Sequence, residues 1–108
     1  MKKELKSRWV TALRSGEYKQ GRRNLRLNNE FCCLGVLCEI DERVIRGSYD
    51  TYSYKGVPNM SWVLSNEYLD DLRLPHEQTS LLMGMNDNKG ESFSEIANWI
   101  EANVEVTT

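Results

Sequence analysis

At 108 residues, 40% apolar and 28% charged, the sequence has the length and composition of one folded domain and excludes a disordered segment. No apolar run approaches the roughly 18 residues that cross a bilayer, and the charged start MKKELKSRWV lacks the core of a secretion signal, so the expected location is the cytoplasm. The net charge of −2 is unevenly spread: residues 1–26 carry +7 and residues 27–108 carry −9, a pattern that suits either an anion-binding end or two complementary faces.

Taken in chain order, residues 2–15 predict an amphipathic helix, with Leu5, Trp9, Ala12 and Leu13 at helical spacing and Gly16 placed as a left-handed cap. Residues 17–29 predict one or two short strands, because Leu25 and Leu27 alternate with Asn24 and Arg26 between turn formers. Residues 30–46 are the most apolar stretch and predict a buried central helix closed by Gly47, with a buried strand over 31–38 as the rival. Residues 48–64 predict a hairpin or an aromatic loop turning at Lys55-Gly56, with Pro58 excluding a helix. One or two short helices are expected over 65–86, with Pro75 in a first turn, followed by a turn at 87–90. Ser92-Phe93-Ser94-Glu95 has the form of a capping box and opens a helix through about Ala102. The expected fold is therefore α+β: a single domain with a buried central helix, flanking helices and a short antiparallel sheet or hairpins.

Cys32, Cys33 and Cys38 are expected to stay reduced, since an adjacent pair strains the peptide between its sulfurs. With His76 the sole histidine, a zinc site lacks ligands, and Met85 stands where a calcium loop through Gly90 would need an acid. No metal or cofactor is expected. Cys32 or Cys33 near a helix start, with His76 and Asp87 or Asn86, would make a nucleophilic set; the competing reading is thiols buried as small hydrophobes.

No phosphate-loop string occurs, yet Lys19, Arg22, Arg23 and Arg26 crowd a turn, with Tyr18 and Gln20 beside them. Arginine forks suit phosphate oxygens, and Tyr52, Tyr54 or Trp62 could stack a base; a solvated turn is the competing reading. Duplex nucleic acid is disfavoured by the overall acidic charge and the lack of a reading helix.

Three segments, WVTALRSGEYKQG (9–21), FCCLGVLCEI (31–40) and LMGMNDNKGESFSEIANWIE (82–101), resemble a family of small tailed-bacteriophage proteins described as hypothetical. Relatives tend to carry small residues after the Gln-Gly, where Arg22-Arg23-Asn24 stand here. The resemblance implies an accessory protein in the cytoplasm of an infected bacterial host, with an anti-defence role.

The leading expectation is a homo-oligomeric module that sequesters an anionic small molecule, such as a cyclic nucleotide immune signal. Tyr18, Gln20, Arg22, Arg23, Arg26, Tyr52, Tyr54 and Trp62 are its candidate ligand residues. One alternative is an inhibitor that docks an acidic surface (Glu67, Asp70, Asp71, Glu77, Glu91) on a host defence or transcription protein. The other is a Cys-dependent enzyme using Cys32 or Cys33 with His76.

Overall fold

A computed structural model describes residues 1–107. Helix α1 (Lys3–Arg14) buries Trp9, Val10 and Leu13 along one stripe and ends at Ser15, with Gly16 following at φ +77°. Helix α2 (Cys33–Ile40) sits at the centre, with Cys33 through Cys38 all buried. Helices α3 (Asn66–Leu72), α4 (His76–Asp87) and α5 (Phe93–Asn103) complete the shell. α1 packs on α2 and α5, and α4 packs on α2 and α5. Among the described residues no helix is long and apolar enough to cross a membrane.

Two three-stranded sheets flank the helices. The first holds β1 (Lys19–Gln20), β2 (Arg26–Leu27) and β3 (Glu30–Phe31), with β3 central, parallel to β1 and antiparallel to β2. The second is an antiparallel meander of β4 (Ile45–Arg46), β5 (Tyr52–Tyr54) and β6 (Val57–Met60). The α+β architecture expected from the sequence is the one observed.

The central helix is shorter than its apolar run. Glu30 and Phe31 are drawn into the first sheet, and Cys32 caps the helix by accepting from the Gly35 amide at 3.4 Å. At the other end the Asp41 carboxylate accepts from the Arg43 amide at 3.0 Å, which turns the chain toward β4 instead of continuing to Arg46. The rival strand over 31–38 reduces to its first residue.

Gly35 explains why α2 can sit so deep. A Cβ there would lie 1.6 Å from the Leu25 carbonyl oxygen, so only glycine lets the helix approach the backbone that leads into β2. The expected capping box is present: Ser92 accepts from the Glu95 amide at 3.2 Å and Glu95 accepts from the Ser92 amide at 3.0 Å.

Each hairpin turns on a two-residue loop with positive φ at both central residues, as a type I′ turn requires: Asn28-Asn29, Tyr49-Asp50 and Lys55-Gly56. The third sets Lys55 at φ 48° before its glycine, and only the first uses two residues that accept this conformation readily. Tyr49, at φ 54°, does not, and a non-glycine residue held there costs on the order of 1 kcal/mol.

Candidate anion-binding site

The basic turn between β1 and β2 is held in place by one buried amide. Asn86, 1% exposed near the end of α4, donates to the Gly21 carbonyl and to Asp87, each at 2.9 Å, and accepts from the Gln20 side chain at 2.9 Å. Gln20 also donates to the Glu91 carbonyl at 2.8 Å, and the Asp87 carboxylate accepts from the Arg23 amide at 2.8 Å. Gly21 donates to the Phe31 carbonyl at 2.7 Å, and a Cβ on it would press against Glu30 at 2.8 Å. The turn is thereby pinned to both β3 and α4, with Arg23 at φ 68°.

From this base Arg22 and Arg23 point into solvent, and neither has a carboxylate partner among the described residues. Arg22 borders two shallow depressions. One of about 110 Å³ is shared with Gly21, Asn24, Leu27, Asn28 and Glu30, and one of about 130 Å³ with Gln20, Asn86, Gly90 and Glu91. Its guanidinium packs beside Gly90, whose neighbour Lys89 is a third exposed cation without an ion pair among the described residues. The nearby carboxylate of Glu30 is already engaged by Lys19 at 3.4 Å. Each depression is smaller than the roughly 300 Å³ of an enclosed small-molecule pocket, so a ligand at this corner would lie across it rather than be swallowed.

The structure does not bring the other candidate ligand residues to this corner. Arg26 is mostly buried, pairs with Asp50 at 3.2 Å and lies over the Tyr52 ring at 5.9 Å. Tyr18 is half-buried and meets Phe31 edge-on with ring centroids 5.4 Å apart. Tyr52 and Tyr54 are core residues whose hydroxyls donate to Glu39 at 2.7 Å and Asp71 at 2.6 Å. Their rings face the interior and cannot stack a base, because outward rotation would empty the core. A third pair of the same kind joins Tyr68 to Asp41 at 2.7 Å. Trp62 alone of the proposed stacking residues is exposed, at 69%.

Chemistry at the cysteines is opposed by their surroundings. Burial pushes the Cys32 thiol up to about 11 and holds Cys33 and Cys38 well above the ordinary thiol value. Cys33 donates weakly to the Leu82 carbonyl at 3.7 Å, and Cys32 is occupied as a helix cap. His76 is exposed at the first position of α4 and bonds to neither thiol among the described residues. No cluster of metal-ligating side chains occurs among the described residues.

Residues 1–55, which run from α1 through β5 and include the Arg22-Arg23 turn, match the family model of a domain of unknown function, DUF8296. The chain belongs to that family. The matched DUF8296 stretch carries the cations of the turn, whereas Asn86, which holds the turn, and Lys89 lie beyond it. No curated protein and no solved structure matches the chain.

Proposed function

We propose that this protein acts by binding an anionic small molecule on the Arg22–Arg23 corner, and that it is a phage-encoded accessory protein which withholds such a molecule from its host. The observation that carries the reading is the pair of exposed arginines without carboxylate partners, set on a turn fixed by the buried Asn86 amide. A surface turn held this firmly costs an incoming ligand little ordering entropy, and two guanidinium forks match phosphate oxygens. Binding without turnover is supported by thiols that burial holds protonated and by the exposed His76, which bonds to none of them among the described residues. The shallow corner favours a homo-oligomer, in which a second copy would close over the ligand.

The test is thermal unfolding against a panel of linear and cyclic nucleotides. A ligand at 100 times its Kd stabilises by about 2.7 kcal/mol, which moves the midpoint by about 10 °C or more in a domain of this size. The shift should vanish in the Arg22→Ala/Arg23→Ala variant. An unchanged shift in that variant removes the corner from the site, and a flat panel removes the small-molecule reading in favour of a host protein partner.

A further inference from the structure

Helix α4 carries a second side-chain stripe beside the one that faces the core. The core stripe is Thr79, Leu82, Met85 and Asn86, all buried. His76, Thr79, Ser80 and Met83 recur at i, i+3, i+4 and i+7, the spacing of one helix face, and all four line a groove of about 220 Å³. Asn66 and Leu69 of α3 line it too, with Val63 and Leu64 of the segment before α3. The groove reaches down to Leu34 of the central helix, itself fully buried, while Val63 is 55% exposed.

Its lining is mainly apolar. Leu34, Val63, Leu64, Leu69 and Met83 make up more than half of it, and the Thr79 hydroxyl is spent on the His76 carbonyl at 2.8 Å. The groove is smaller than the roughly 300 Å³ of an enclosed small-molecule pocket, so it suits a few side chains projecting from a larger partner.

The surroundings are acidic. Residues 63–83, which supply every lining residue except Leu34, carry four carboxylates against the single cation Arg73. Helix geometry puts two of these carboxylates beside the lining: Asp70 stands at i+4 from Asn66, and Ser80 at i+3 from Glu77. Both acids are exposed, and neither has a cation partner among the described residues.

That charge selects among occupants. An anionic lipid surface is repelled by it. Two copies meeting through this groove about a two-fold axis would set like charges against each other. A helix with an apolar stripe and flanking cations satisfies both the lining and its surroundings, and a groove between helices is a recurrent seat for such a helix. We infer that the α3–α4 groove docks a basic amphipathic helix of a partner protein, with its apolar side chains on Leu69 and Met83 and its cations toward Asp70 and Glu77. The groove shares no lining residue with the depressions at the arginine corner, so the inference stands apart from the anion-binding reading.

The probe is a displayed library of helical peptides of about 15 residues, with leucine fixed at i, i+4 and i+7 and the flanking positions varied. Selection on the full chain should enrich lysine and arginine at the flanks. The best peptide, synthesised and labelled, should lose at least about tenfold in affinity when its cations become glutamate. Ser80→Arg fills the groove from an exposed helix position, so it should keep the melting midpoint within about 2 °C while weakening the basic peptide about tenfold. Asp70→Lys/Glu77→Lys should weaken the basic peptide and restore binding of its glutamate counterpart, a gain that misfolding cannot produce.

Selection that yields no binder, or binders without flanking cations, overturns the inference. So does a basic peptide whose affinity ignores Ser80→Arg and the double charge reversal. Self-association in sedimentation that Ser80→Arg abolishes would give the groove to a second copy instead, and binding to zwitterionic vesicles lost in the same variant would give it to a membrane.

Discussion

The indole nitrogen of Trp9 donates to the carbonyl of Cys33 at 2.9 Å, and both residues are completely buried. The bond joins the middle of α1 to the first turn of the central helix across 24 residues of chain, and fixes the rotation of one helix against the other. Trp9→Phe keeps the ring but removes the donor and leaves a gap. It should cost about 2 kcal/mol and lower the melting midpoint by about 10 °C, measured by circular dichroism. A midpoint within 2–3 °C (roughly the effect of half a kcal/mol) would show that the bond adds little beyond packing.

Two glycines on neighbouring helices should respond in opposite directions. Gly35→Ala drives a methyl into the Leu25 carbonyl and should destabilise by more than about 3 kcal/mol, enough to leave little folded protein. Gly84, within α4, has nothing within 4 Å of its Cβ position, so Gly84→Ala should stabilise by about 0.5–1 kcal/mol. Denaturant midpoints of the two variants read both signs in one experiment.

The cysteines should be silent toward thiol reagents in the folded protein. With Cys32 pushed up to about 11 by burial, and Cys33 and Cys38 held well above the ordinary thiol value, the thiolate fraction near pH 8 is small and sterically shielded. Alkylation should follow global unfolding, all three thiols reacting together once denaturant is added. One thiol reacting fast in native buffer would restore the nucleophile reading.

Acid stability should depend on Asp41. Burial pushes its pKa up, but hydrogen bonds from Arg43 and Tyr68 outweigh that and hold it below the ordinary carboxylate value. A carboxylate depressed in the folded state contributes its full stability above the unfolded pKa of about 3.9, and that contribution is lost as the pH falls through the folded value. Asp71 and Glu101 are depressed in the same direction, Asp71 by its bonds from Tyr54 and Lys55 and Glu101 by Arg14. Unfolding free energy should therefore drop below about pH 4, and Asp41→Asn should flatten part of that drop while costing about 2 kcal/mol at neutral pH.

Features written in local spacing were legible in the sequence. The Ser92–Glu95 box, Gly16 after α1 and the Lys55-Gly56 turn each declare themselves within four residues, and each is where the spacing predicts it. The central helix was overextended because an apolar run carries no mark of where Asp41 would bend it. The tyrosines were harder still. Whether Tyr52 and Tyr54 face solvent or core depends on carboxylates 13 and 17 residues away, and no short-range pattern encodes those pairs. The support of the basic turn is more remote again, since Asn86 lies 65 residues from Gly21.

The Asn86 amide has a consequence for how the arginine turn moves. Its bonds to Gly21 and Gln20, with Asp87 on the Arg23 amide, splice an exposed loop onto the end of a core helix. Loops of this length on a protein surface ordinarily open on their own and exchange their amide protons quickly. Here the Arg23 amide is held by Asp87 at the end of α4 and the Gly21 amide by the Phe31 carbonyl of β3, so the turn opens only when both anchors let go. The arginines should therefore stand on a rigid fixture at a mobile-looking edge, and deuterium should enter the Gly21 and Arg23 amides more slowly than it enters an unanchored loop.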